Sequence, residues 1–496
     1  VTVAGSAEQL MNPLTREEFQ DALKKGLGRA VRHVRSSPSE VVREDFLDAC
    51  VHCKAYDTQC EGFRTDWLFG MIELTGELDY YRGKILEAIP ASRDADSYDF
   101  WQLYYLAKEY AIRGDAECRT VLYREFDLLV DDNNIGGADT LVELDGIPGL
   151  LHVLEIAGRR IQNGGDLWWE ISYFLKESEE KFGKDTVHNA IEAEAAKNEF
   201  VRAYCEQKDQ ADSRNDFGIS VVDERMANVL SQAPPSEEDE PTKRPVKEWI
   251  ADILADDFDD ERIHNATEDN ILEVLRFRHS LFLGGSPSLS DEEIETIWAT
   301  LMSEENPYRL FCLLYSGIFS RRIRLPRFDP KMLAWIDSPY PLSWKAAQTL
   351  ADFSDESIRL KALELLQTIP AKRNWHDGFE LICGSFRSED EEAIFAALQT
   401  HHFPHEGCLH SAGHDIIKLA ETYPEVMFRE PLLWYYERTP CSLCRHNIVK
   451  ELDKRQLVPK EIWEECVDDC DDRLRELTEK HLSSPELFSP LRNITP

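Results

Sequence analysis

The sequence predicts an all-α fold built from stacked helical pairs, and three observations carry that expectation. Apolar residues recur at three- and four-residue spacing over long stretches, sustained Val/Ile/Thr alternation is scarce, and Gly or Pro breaks fall every one or two helix lengths. Hydrophobic residues fill 42% of the 496 positions, enough to bury a large core and too many for a chain disordered throughout.

In chain order, Phe19, Leu23, Leu27, Val31 and Val34 make one apolar stripe of a helix. The pattern returns over Trp101, Tyr104, Tyr105, Ala107 and Ala111, and again over Leu360, Leu363, Leu366 and Ile369. Helix starts are marked by Asp45 ahead of Phe46 and by Ser290 ahead of three acidic residues, whose charges the helix dipole favours in a first turn. Thr439-Pro440 reads as a cap followed by proline at the first helical position. A short strand is expected at most around Ile219–Val222.

Three segments share a finer form. Pro341–Ala351 followed by Asp355–Leu366 reads as a helix, a tight acidic turn and a second helix, and Gly114–Tyr123 and Asp469–Glu479 repeat the turn and the helix after it. In each, an early Arg on the helix can reach a neighbouring acidic turn. These segments resemble the HEAT family of helical repeats, in which an Asp-containing turn and an Arg in the second helix recur. The resemblance covers about half the chain, and it implies an α-solenoid of HEAT-like helical hairpins with a long concave face. Composition divides the chain into a disordered tail at 1–14, a helical-repeat block at 15–207, an acidic and Pro-rich linker at 208–246, and a second HEAT-like block at 247–496.

Charge bounds the partners. Fifty-six Lys and Arg face 94 Asp and Glu, a formal net charge of −38. Nucleic acid is a poor partner for such a surface, because affinity for phosphates comes from neutralising cations. The one basic stripe, Ser320–Arg327, reads as arginines paired with the carboxylates around them. The acidic excess suits a basic protein or peptide. No run of about 18 apolar residues offers a membrane span. The twelve cysteines are too sparse for a disulfide scaffold, and Val1–Glu8 lacks the basic opening and apolar run of a secretory leader. Free thiols and a cytoplasmic location are therefore expected.

Two groups of residues are candidates for function. Arg64, Asp66, Trp67, Trp101, Tyr105, Trp168, Trp434 and Tyr435 supply more aromatic and charged surface than one core seam needs, and aromatics bury area at small entropic cost when they anchor a partner. Core packing is the ordinary reading of any one such aromatic, and an inter-repeat salt bridge that of Arg64 and Asp66. The second group is Cys408, His410, Cys441 and Cys444, a Cys-x2-Cys knuckle with a His-rich stretch upstream, which suits the four soft or borderline ligands zinc requires. Its ordinary reading is small, semi-apolar thiols packed between helices. Cys50, His52 and Cys53 form a second, weaker knuckle. P-loop, Rossmann, H-E-x-x-H and G-x-S-x-G motifs are absent, so no catalytic residue is assigned. The expectation is a non-catalytic binding scaffold without a cofactor; a metal-dependent or cysteine enzyme at 401–446 is the alternative.

Overall fold

The structure is a computed structural model that describes residues 14–94, 97–129, 136–164, 168–213, 245–256, 258, 271, 275, 289–318, 324–367, 376–400, 402–403 and 405–483. Among the described residues every regular element is a helix. The strand expected at Ile219–Val222, residues 1–13 of the tail, 214–244 of the linker and 320–323 of the basic stripe lie outside them. Packing divides the chain into two compact units.

The first unit spans Val1–Gln232, Pro440–Leu443 and Pro459–Pro496. Its helices are α1 (Arg16–Lys25), α2 (Gly28–Ser36), α3 (Ser39–Val51), α4 (Thr58–Glu61), α5 (Thr65–Thr75), α6 (Leu78–Ala88), α7 (Tyr98–Ile112), α8 (Ala116–Leu129), α9 (Ala138–Asp145), α10 (Ile147–Gln162), α11 (Trp168–Phe182), α12 (Lys184–Ala195) and α13 (Glu199–Ser213). The second unit, Ala233–Thr439 with Cys444–Val458, holds α14 (Val246–Ala255), α15 (Asp291–Ser303), α16 (Pro307–Ile318), α17 (Leu342–Leu350), α18 (Glu356–Gln367), α19 (Asp377–Leu381), α20 (Glu391–Thr400), α21 (Glu406–Thr422), α22 (Arg429–Tyr436) and most of α23 (Ser442–Lys454). The last pair, α24 (Lys460–Cys466) and α25 (Asp472–Ser483), belongs to the first unit.

Within each unit, helices pack on neighbours two or three places along the chain as well as on the next. In the first unit α1 meets α2 and α3, α3 meets α6, α2 meets α5, α5 meets α7, and α7 meets α9. In the second, α17–α19–α21 and α18–α20–α22 form two such rows. No single amphipathic helix can bury its stripe alone, so each row closes the core of the next.

Local signals explain many boundaries. Thr15 and Glu18 close a capping box at α1, and Ser290 with Glu293 closes another at α15. The stripe expected to be one helix, Phe19 to Val34, is cut in two. Gly26 takes a left-handed conformation (φ 73°) as the C-cap of α1, and the chain turns a corner while all five apolar residues remain buried. Thr439-Pro440 does not cap α23, which begins at Ser442.

The acidic-turn and Arg pairs form a ladder. Arg43 of α3 pairs with Glu77, Arg82 of α6 with Asp115, and Arg119 of α8 with Asp145, each reaching the turn that follows the next helix or two. The Arg82 guanidinium, through its hydrogen bonds, holds the Asp115 carboxyl down to about 2. In the second unit Arg359 of α18 donates to both carboxylate oxygens of buried Asp390, at 2.8 and 2.5 Å.

The last helical pair is locked onto the start of the chain, inside the first unit. Arg29 grips Glu465 of α24 with Nε–Oε1 at 2.5 Å and Nη2–Oε2 at 2.8 Å, and its backbone N–H also donates to that carboxylate. Burial pushes the Glu465 carboxyl up, but the Arg29 contacts outweigh it and hold it below its ordinary range. Gly28 permits the approach: a Cβ there would lie 2.0 Å from the Glu465 carbonyl oxygen. Gly28→Ala must push α24 off α2, and a loss of roughly 1–3 kcal/mol is expected in urea unfolding, as for other overpacked contacts. An unchanged midpoint would show that the helices can part without cost.

Candidate functional site

Three of the first unit's helices, α4, α5 and α25, meet at a cavity of about 490 Å³, lined by residues of the α4–α5 stretch and of the turn into α25. Arg64 is buried beneath it and is held by its neighbours. Its guanidinium donates to the Lys24 carbonyl (2.7 Å), one of the unsatisfied acceptors at the end of α1, and to Glu61 (2.9 Å). Glu61 also accepts from the backbone N–H groups of Asp57 and Ser442. Arg64 thus pairs locally with Glu61, three residues before it, and not with Asp66.

On the opposite wall Arg473 is paired with Asp471 at 2.5 Å, and Asp471 caps α25 through the Leu474 N–H. Asp472 pairs with Arg475 on its outer side. Of the charges lining the cavity, Glu61, Asp66, Asp471 and Asp472 outnumber Arg64 and Arg473, and both cations are held by carboxylates. Asp66 stands exposed at the rim and makes no ion pair among the described residues. Trp67 is buried and donates its indole N–H to the Asp468 carbonyl at 2.9 Å, so it also serves as the peg that holds the α25 turn in place. Gly26 fits under the same turn, where a Cβ would meet Cys470 Sγ at 2.2 Å.

Phe63, which the sequence did not single out, connects this cavity to the predicted aromatics. Its ring lies 5.3 Å from Tyr105 and 6.4 Å from Tyr98, and Trp101 lies 6.1 Å from Tyr105. Tyr98, Trp101 and Tyr105 occupy positions i, i+3 and i+7 of α7 and so share one face. All three are at least partly exposed. Arg64, Asp66, Trp67, Trp101 and Tyr105 thus fall in one region of the first unit, with Phe63 as the link.

The remaining predicted anchors separate. The Trp168 side chain lies outside the described residues. In the second unit Trp434 is half-buried against Phe403 and under Arg438. Tyr435 is fully buried, and as a partner-facing residue it is corrected to core: its hydroxyl donates to the His410 carbonyl at 3.3 Å, and α21 lies so close that a Cβ on Gly413 would overlap its ring.

Of the metal candidates, His410 and Cys444 belong to the second unit and Cys441 to the first. Cys441 immediately precedes α23 and Cys444 lies one turn on, so the helix itself sets their spacing. His410 is placed against Cys444 by the packing of α21 inside the second unit, which Tyr435 and Gly413 fix. Cys408 is not with them. Residues two apart on a helix point about 200° apart, so Cys408 and His410 cannot face one ion. Instead Cys408 Sγ lies 3.2 Å from His405 Nε2, and burial followed by the nearby Asp377 charge raises its thiol pKa, which makes it a poor nucleophile. The other knuckle is taken up structurally: Cys50 is buried, and His52 and the Cys53 N–H both engage Asp99 at 2.9 and 2.7 Å. All twelve cysteines are free thiols, and among the described residues no helix is long and apolar enough to cross a membrane.

No protein-family model, no curated protein and no solved structure matches the chain.

Proposed function

We propose that the chain is a non-catalytic binding scaffold of stacked, HEAT-like helical hairpins that captures a basic segment of a partner protein. Support for the repeat reading comes from the two rows of second-neighbour packing and from the Arg-to-acidic-turn ladder. The observation that carries the binding reading is the first unit's cavity: a carboxylate-rich pocket whose own arginines are already paired, opening beside a half-exposed aromatic face. A guanidinium or ammonium entering it would meet Asp66 and compete with Arg475 for Asp472, while the apolar stem and flanking residues of the partner would lie on Phe63, Tyr98, Trp101 and Tyr105. The formal charge of −38 would speed the encounter, and the pocket would select among basic partners. Free thiols throughout fit a cytoplasmic setting.

The test is the binding of a short arginine- and lysine-bearing peptide, followed by fluorescence anisotropy. Affinity is expected to fall steeply with salt, and Asp66→Asn with Asp472→Asn is expected to weaken binding about tenfold, near 1.4 kcal/mol. Binding indifferent to salt and to both substitutions would remove the reading.

A further inference from the structure

We propose that a second pocket of the first unit, at the start of α1, takes one apolar side chain of leucine size from the same basic segment. The inference rests on the binding reading above and adds to it a second anchor and a spacing.

The pocket is a cavity of about 210 Å³ between the start of α1, His33 of α2 and the first turns of α3. An apolar cavity of about 150 Å³ takes a benzene molecule, so the space suits a single leucine or methionine side chain. Leu14, Phe19 and Val41 supply its apolar walls. Phe19 belongs to the buried stripe of α1, and its ring lies 4.7 Å from the His33 ring. His33 is buried, and its Nδ1 accepts the Leu14 backbone N–H at 3.1 Å, which ties the entry of α1 over α2. An accepting Nδ1 puts the ring proton on Nε2, and burial lowers the imidazole pKa. The pocket's histidine is therefore neutral and does not reject an apolar group. Val41, by contrast, is 64% exposed and offers its apolar surface to solvent at the mouth.

The rim selects a basic neighbour for that side chain. Glu40 is exposed and makes no ion pair among the described residues. Arg16, the one cationic side chain of the lining, is held by Asp45 at 2.8 and 2.9 Å, and Glu44 reaches the same guanidinium at 3.5 Å. Carboxylates thus exceed cations here, as they do at the larger cavity, and a lysine or arginine beside the inserted side chain is attracted to Glu40.

Helix α1 relates the two pockets. Phe19 and Arg16 line the small one, and the Lys24 carbonyl near the other end accepts from Arg64 beneath the large one. The ten residues of α1 rise about 15 Å, and an extended chain covers about 3.4 Å per residue. A segment that reaches both pockets therefore carries its apolar anchor roughly five positions from the basic residue in the large cavity. The large cavity contributes a salt-sensitive attraction, and the small one an apolar burial that salt does not screen.

Fluorescence anisotropy with two peptides on the full chain tests the assignment. One peptide has a central arginine, flanking lysines, and leucine five positions to either side; the other has alanine at both leucine positions. The leucine peptide is expected to bind about tenfold more tightly, with a ratio that holds as salt rises. Val41→Asp, an exposed first-turn position where the helix dipole favours an acid, is expected to bring that ratio below about twofold. Asp66→Asn with Asp472→Asn is expected to weaken both peptides alike and keep the ratio. Equal affinity of the two peptides, or a ratio that survives Val41→Asp, overturns the second pocket, and the cavity reading then stands or falls on Asp66 and Asp472. A ratio lost in Val41→Asp, with both peptides indifferent to Asp66 and Asp472, supports the small pocket as the anchor and overturns the large cavity. Absence of binding by either peptide overturns both.

Discussion

Arg359→Ala is expected to destabilise the second unit by roughly 3–5 kcal/mol, the loss typical when one member of a buried ion pair is removed. Asp390 is 2% exposed and the Arg359 side chain 10% exposed, so neither charge is hydrated by bulk water. The guanidinium satisfies both carboxylate oxygens of Asp390 and also reaches Glu356 at 3.0 Å. Alanine would leave Asp390 buried with the Arg387 backbone N–H as its chief remaining donor. Arg359→Lys should fall between, because an ammonium cannot reproduce the two parallel bonds. Replacing both partners with apolar residues should recover most of the loss, since nothing charged is then stranded. Urea unfolding of the three variants measures this. A change within about 0.5 kcal/mol for Arg359→Ala would mean that the ladder decorates the fold without holding it.

Asp377→Asn is expected to stabilise the chain at pH 8 by up to about 4 kcal/mol and to change little at pH 4. Burial, and then the neighbouring Glu380 charge, pushes the Asp377 carboxyl up from its ordinary 3.8 to about 7. His376, 3.7 Å away, gives no compensating cation, because burial and the nearby His405 lower its own pKa. Between about pH 4 and pH 7 the folded chain therefore keeps a proton that the unfolded chain has released. Folding takes up a proton in that window, so stability falls as pH rises through it and stays low above it. Asparagine mimics the protonated carboxyl at every pH and removes the slope. Wild-type and variant midpoints across pH 4–8 should diverge steadily upward from pH 4; a constant difference would show that Asp377 is ionised throughout.

The parts of this architecture that were legible in the sequence are those set by local chemistry. Ser290 caps as its spacing indicates, whereas Asp45 lies inside α3, which begins at Ser39; the early Arg of the acidic-turn helices finds a neighbouring turn in Arg119–Asp145 and Arg359–Asp390. Arg473 does not, because its partner Asp471 lies in its own turn. The corner at Gly26 was hidden because an apolar stripe reads the same across a tight turn as along one helix. The fourth member expected at the metal cluster, Cys408, was excluded by helical angle alone, which counting residue types overlooked. The packing of α24 on α2 left no local trace: Gly28 and Glu465 are 437 positions apart, and only a close backbone approach relates them. Phe63 was passed over for the same reason, since an isolated aromatic gains meaning only from Tyr98 and Tyr105 across the fold.

The most direct test of the binding account is amide hydrogen exchange on the full chain with and without the basic peptide. New protection is predicted to concentrate at Gln59–Trp67 and Cys470–Arg473, the two walls of the cavity, with a weaker effect on the α7 face from Tyr98 to Tyr105. Protection spread evenly over acidic surface, or confined to other helices, would contradict the assignment of that cavity as the binding site.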